Sequence, residues 1–167
     1  MTIQPADSPA IWKPHVTVAA IAQRRSRFLL VEEQGRDNTV FNQPAGHLEP
    51  GESLIDAVIR ETLEETGYRF EPRGVVALYL WRPAPTSDRT ILRVNFWGDL
   101  TEQAHPGPLD ADILATHWFD ADALRAQAGR LRSPLVLRAV EDFARGLHLP
   151  LEAVFDLAGE PEAIIRD

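Results

Sequence analysis

Between the turn signals Pro50-Gly51 and Gly67 lies a stretch whose cap, charge pattern and stop signal agree on one α-helix. No other stretch constrains the chain as much. The Ser53 hydroxyl is placed to cap the first free N–H groups, and Asp56 occupies a weaker version of the capping-box acid position. Gly67 frees the backbone for the left-handed turn that ends helices, so the helix is expected to stop at about residue 66. At about 100° per residue, Glu61, Glu65 and Glu64 fall near roughly 0°, 40° and −60°, on one face. Ile55, Ile59, Thr62 and Thr66 fall at roughly 100–160°, which predicts an apolar stripe beside the acids and leaves the acids facing a cleft.

The rest of the chain supplies strands around this helix. Residues 16–21 and 28–31 are apolar runs split by the turn-like Arg24-Arg25-Ser26 and are expected to form a hairpin, followed by a polar loop over 32–38. Pro44 and Gly46 make residues 41–47 an extended segment running into a turn. Residues 75–81 and 91–100 are β-branched and aromatic, and they flank a polar loop holding Pro83, Pro85, Ser87 and Asp88. They are expected to be long paired strands. A short strand over 116–119, a helix from Asp120 to about residue 126 and a helix opened by Ser133-Pro134 complete the order. Strands interleaved with helices predict an α/β layered fold. A length of 167 residues with 44% hydrophobic content suits one core. The expected division is a flexible arm over 1–12, a domain over 13–158 and a tail over 159–167.

Composition narrows the chemistry. There is no cysteine, which excludes disulfides, thiolate metal sites and a Cys nucleophile. A formal net charge of −8 argues against a nucleic acid polymer as partner, because holding a phosphate backbone takes a surplus of Lys and Arg. No apolar run approaches the roughly 20 residues of a membrane span, and the polar start lacks the pattern of a signal peptide. A cytoplasmic location without membrane attachment is the default expectation. His15, His105, His117 and His148 lack zinc-ligand spacing, and neither a G-x-S-x-G elbow nor a P-loop occurs.

Glutamates on a helix are usually a solvated face. Here Glu61, Glu64 and Glu65 repel one another at i,i+3 and i,i+4 spacing unless a cation stands between them, and the Gly46 turn can bring a main-chain carbonyl to the same place. Ligands that are all oxygen suit Mg²⁺, with Mn²⁺ as the alternative.

Residues 46–68 read GHLEPGESLIDAVIRETLEETGY. This resembles the Nudix box, G-x5-E-x7-R-E-U-x-E-E-x-G-U with U a bulky apolar residue. Gly46, Glu52, Arg60, Glu61, Glu64, Glu65 and Gly67 match, while Thr62 and Tyr68 depart from it at the two bulky positions. KPHVTVA at 13–19, NQPAGHLE at 42–49 and LRSPLV at 131–136 extend the resemblance to a subgroup of bacterial phosphatases within that family. The resemblance implies an α/β/α sandwich around a mixed sheet. It implies Glu64 and Glu65 as Mg²⁺ ligands, with Glu61 either a further ligand or the group that orients or deprotonates the attacking water. It implies a structural Glu52–Arg60 pair, and a further acid on a later loop ahead of an aromatic strand. Asp112 is favoured over Asp110 for that acid, against the alternative that both only solvate the loop.

Outside the box, Arg93 sits mid-strand, where an unpaired charge is costly, so it is expected either to contact phosphate or to form a structural salt bridge. Trp81 and Phe96 are candidate platforms for a ring, against the commoner role of strand aromatics in a core. His47 is a candidate phosphate contact, against a hydrogen-bonding role in the turn. The resemblance implies hydrolysis of nucleoside tri- or diphosphates, or of the pyrophosphate ester of the thiamine pyrimidine precursor, with release of phosphate. The alternatives are a pyrophosphatase for ADP-ribose or a dinucleoside polyphosphate, and a nucleotide sensor without turnover. Retention of every box acid and the absence of a basic appendage count against the sensor. Oligomeric state is not written in the sequence.

Overall fold

The computed structural model describes residues 11–156 apart from Arg36 and Leu109. The expected arm and tail lie outside the described residues, except for the exposed Ile11 and Trp12. The chain runs β1 His15–Arg24, β2 Arg27–Gln34, β3 Thr39–Asn42, β4 Ala45–His47, α1 Leu54–Thr66, β5 Tyr68–Trp81, β6 Ile91–Gln103, β7 Ile113–Phe119, α2 Ala121–Ala126, α3 Pro134–Ala144 and β8 Leu149–Pro150. Short 3-10 turns occupy Ala128–Arg130 and Leu151–Ala153.

The first hairpin closes on Arg25 and Ser26, both in the left-handed region at φ 47° and 64°, as a two-residue turn matched to strand twist requires. Its strands pair only beside that turn, through Gln23–Phe28 and Arg24–Arg27, and then diverge. β1 joins β6 in parallel and β4 antiparallel, whereas β2 lies between β3 and β7. β5 pairs antiparallel with β6 and briefly with β8, so the sheet is mixed.

Side-chain alternation along these strands feeds two cores. Val18, Ala20, Ala22, Leu29, Val75, Val94 and Phe96 pack with Ala57 and Val58 of α1. Ile21, Phe28, Leu30 and Val76 pack on the other face with Leu124 of α2 and Val136, Ala139 and Val140 of α3. The result is a helix layer on each face of the sheet, the expected α/β/α arrangement.

Two local expectations are corrected. The loop placed over 32–38 begins later, because β2 continues through Glu32 and Glu33 with a bulge between them. Glu32 tolerates a strand there because Thr39, His117 and Arg130 all bond its carboxylate. On α1 the buried residues are Ala57, Val58, Thr62, Glu65 and Thr66, so the core face overlaps the acidic face and Glu65 points inward. The Thr62 and Thr66 hydroxyls are buried without penalty, since each donates back to a carbonyl one turn earlier, Val58 and Thr62 respectively.

Candidate active site

Both ends of α1 are fixed as the sequence requires. Ser53 Oγ accepts the Asp56 N–H at 2.9 Å, and Gly67 turns left-handed at φ 73° with its N–H donating to the Leu63 carbonyl. Gly67 is needed twice over. A β-carbon there would lie 2.7 Å from the carbonyl oxygens of His105 and Gly107.

The helix meets β4 at Gly46. A β-carbon at Gly46 would lie 2.1 Å from the Glu61 carboxylate, a distance only glycine permits. One residue earlier, the Ala45 N–H donates to Glu65 Oε2 at 2.8 Å. Glu65 is only 5% exposed, and burial pushes its carboxyl up to about 9. The Ala45 N–H opposes that shift, while Glu33, Glu61 and Asp110 add to it. Burial also raises the Glu61 carboxyl, against the pull of Arg60. Glu64 is half-exposed on the next turn.

Arg60 gathers the acids. Its guanidinium grips both Glu52 oxygens, at 2.7 and 2.9 Å, and donates to Glu61, to Glu64 and to the His47 carbonyl. Glu52 also accepts the Glu49 N–H, and the Arg60 contact holds its carboxyl below the usual range. One planar cation thus ties the Pro50-Gly51 loop to the helix and screens three carboxylates.

The loop that carries the two candidate later acids lies beside α1. Asp112 is exposed, its N–H donating to Asp110 Oδ1 and its carbonyl accepting the Gln34 N–H. Asp110 is the one tied to α1, through its N–H to the Glu64 carbonyl at 2.9 Å, and its charge reaches both Glu65 and Glu33. The loop's register is set by that main-chain bond, which spacing from Trp118 does not reveal.

A cleft of about 340 Å³ brings Gly46, His47, Trp81 and Arg93 together. Arg93 is buried, and among the described residues no carboxylate forms an ion pair with it. It donates to Asn42 Oδ1 at 3.2 Å and to Gln43 Oε1 at 2.9 Å, and Gln43 is itself held by the Val136 carbonyl. Burial lowers Arg93 to about 10, with Glu65 and Glu33 opposing, so the side chain stays a cation in a dry place. The His47 ring meets His15 edge-on, and burial with the nearby charges of His15 and Arg89 lowers its pKa. Phe96 is excluded from the cleft: at 0% exposure it belongs to the core under α1. Its strand register turns Arg93 and Phe96 to opposite environments, as alternation demands.

Sequence reasoning passed over Asn42, Gln43 and Glu33. Asn42 and Gln43 stand inside NQPAGHLE, so a signal existed without a role attached. Glu33 was hidden by its reading as loop, since a polar residue in a strand shows its purpose only once the bulge is seen.

The NUDIX domain family matches residues 13–139 of the chain. The chain belongs to the Nudix family. It is 40% identical over 147 residues to Phosphatase NudJ of Escherichia coli strain K12, across 87% of this chain and 94% of that protein. The NUDIX hydrolase from Nitrosomonas europaea superposes with a TM-score of 0.82 at 41% identity, over 89% of this chain and all of that one. The NUDIX domain of Shewanella oneidensis NrtR, solved with ADP ribose, shares the fold at a TM-score of 0.68 and 17% identity, over 85% of this chain and 94% of that one. The protein is therefore a Nudix hydrolase similar to the NudJ phosphatases, and among its described residues no helix is long and apolar enough to cross a membrane.

Nudix hydrolases generally use divalent metal ions. Among the described residues, no three Asp, Glu or His side chains converge as they stand on a point where a metal would bind. The donor chemistry nevertheless fits one. Glu61 and Glu65 are desolvated acids with raised pKa values, the Glu61 carboxylate lies against Gly46, and the donors around them are oxygens suited to a hard cation.

Proposed function

We propose that this Nudix hydrolase is a Mg²⁺-dependent phosphatase that releases the terminal phosphate of nucleoside tri- and diphosphates or of the pyrophosphate ester of the thiamine pyrimidine precursor, with Mn²⁺ as a substitute. The observation that carries this reading is the juxtaposition of desolvated Glu61 and Glu65 with a cleft holding buried Arg93 and Trp81. The chain around that juxtaposition is 40% identical to Phosphatase NudJ nearly end to end.

Glu64 and Glu65 would hold the metal, with Glu61 either a further ligand or the proton acceptor, and the Gly46 carbonyl and a carboxylate of the 110–112 loop, Asp112 or Asp110, would complete the set. A bound divalent ion supplies charge neutralisation at phosphate and lowers the pKa of the attacking water. The chain's own residues do the rest. Arg93, kept cationic by its amide cradle, faces the phosphate side of the cleft. Trp81 offers a wall for the organic group, and His47 stands beside Gly46 as a further phosphate contact. Where it is not a ligand, Glu61, which lies against Gly46 with a raised pKa, would take a proton from water. Glu52 and Arg60 keep the loop and helix in register.

Hydrolysis of a nucleoside triphosphate in ¹⁸O-labelled water, followed by ³¹P NMR, tests the assignment. Phosphate and nucleoside diphosphate as the first products are expected. Predominant pyrophosphate and monophosphate would overturn the phosphatase assignment and favour an interior cut.

A further inference from the structure

We infer that Glu33 is the residue that selects the organic group of the substrate, and that it selects a heterocycle bearing an exocyclic amino group over the matching keto ring. The inference rests on the cleft being the substrate site, as proposed above, and goes beyond it in naming what the cleft reads.

Glu32 and Glu33 are adjacent on β2, and the bulge between them sends them to different fates. Glu32 is bonded by Thr39, His117 and Arg130. Glu33 lines the cleft instead, with its side chain only 15% exposed. Its Oε1 atom is buried and receives no hydrogen bond among the described residues, although Arg132 Nε forms an ion pair with it at 3.6 Å and Asn42 steadies the carboxylate. Thr17 Oγ1, Arg93 Nε and Ser133 Oγ are likewise buried without a hydrogen-bond partner, and all three line the same cleft. Buried polar atoms are ordinarily paired. Among the described residues, four of the seven such atoms line this cleft and the other three belong to Asn95 and Trp97, so the cleft is where a ligand can supply most of the missing partners.

The chemistry of the donors then sorts the ligand. Arg89, Arg93 and Arg132 put cations around the cleft, and these suit phosphate oxygens. Glu33 is the one carboxylate among the described lining residues, and an ionised carboxylate only accepts hydrogen bonds. Phosphate oxygens have nothing to donate to it and repel it, so the organic end of the substrate is the part that can bond to Glu33, at a place where its charge also reaches Arg93 and Glu65. Trp81, Ile91 and Leu135 give that end apolar walls suited to a flat ring. An amino edge donates an N–H to the Glu33 carboxylate. A keto edge at the same position sets an oxygen lone pair against it and leaves the buried Oε1 atom without a hydrogen bond, which is the situation that yields strong discrimination.

Matched pairs that share sugar and phosphates isolate this edge. CTP against UTP and ATP against ITP differ only in amino versus keto chemistry. With Mg²⁺ present, kcat/KM of the native enzyme is expected to favour the amino partner by at least about tenfold in each pair, the scale of one hydrogen bond to a charged group. In Glu33→Gln the ratio should fall to about one or invert, because the amide can donate to a keto oxygen, and the change should come chiefly from the amino partner. Native ratios near one overturn the inference without recourse to any variant, and so does a ratio unchanged in a folded Glu33→Gln. Equal turnover within each pair refutes only the role of Glu33. No release of phosphate from any of the four nucleotides refutes the nucleotide arm of the phosphatase reading and this inference with it.

Discussion

The Glu61 carboxylate occupies the space that a side chain at Gly46 would fill, so the position of a catalytic candidate is set by the absence of a single methyl group. Replacing Gly46 with Ala would put a β-carbon 2.1 Å from that carboxylate and force it aside. The nearby Arg60 network can absorb the shift without unfolding, so Gly46→Ala should lower kcat/KM by roughly 10- to 100-fold while circular dichroism stays native. Retained activity in Gly46→Ala would contradict the placement of Glu61. Glu64 is the complementary case. Its side chain is 44% exposed and makes one contact, with Arg60, so little of the fold depends on it. Glu64→Gln keeps size and removes charge, and it should cost turnover on the order of 100-fold, because charge stabilisation at phosphate is worth several kcal/mol. Its melting temperature should stay within about 2 °C of the parent. A large fall in melting temperature with modest loss of rate would make Glu64 structural.

Helix α1 carries its own instructions for starting and stopping, and those instructions are why it was legible in the sequence. Ser53 and Gly67 act through local backbone geometry, which one stretch of chain can reveal. The same holds for the Asp120 cap of α2, for the Pro134 start of α3 and for the Nudix box itself, whose spacing is fixed by one helix and one loop. What the chain did not reveal depends on partners distant in sequence. The inward turn of Glu65 needs the Ala45 N–H, the tie of Asp110 to α1 needs the Glu64 carbonyl, and the burial of Phe96 needs α1 laid over the sheet. Gly67 permits a test at this scale. Gly67→Ala would hold a side chain at φ 73° and within 2.7 Å of two carbonyl oxygens. The strain should cost about 2 kcal/mol or more, lowering the melting temperature by roughly 4–8 °C in calorimetry. An unchanged melting temperature would mean that the loop holding His105 and Gly107 yields freely.

Across the whole molecule, an excess of negative charge surrounds a buried acid that resists ionisation. The net charge is −8, and Glu33, Glu61 and Asp110 each add their field to that of burial at Glu65. For Glu65 the folded-state value of about 9 stands above the ordinary 4.5, so the folded chain holds a proton that the unfolded chain releases. Stability from this source is fully present below about pH 4.5 and declines as the pH climbs toward about 9, the reverse of an ordinary salt-bridged carboxylate. Glu32, held below its normal value first by the Thr39 hydroxyl and then by His117, acts in the opposite sense, and its contribution is lost as acid protonates it below 4.5. In the metal-free protein the two should combine into a melting temperature that peaks in mildly acidic buffer and falls by at least about 5 °C toward pH 9. Glu65→Gln removes the titrating group and should flatten the alkaline limb. A divalent cation should flatten it as well in the parent protein, because a ligand that prefers the ionised acids stabilises most where they are ionised. The decisive comparison is calorimetry of both proteins at pH 6 and pH 9, with chelator and with Mg²⁺. A parent whose alkaline limb is the same with and without the ion would remove Glu65 from the ligand set, since a ligating carboxylate must give up its proton to bind.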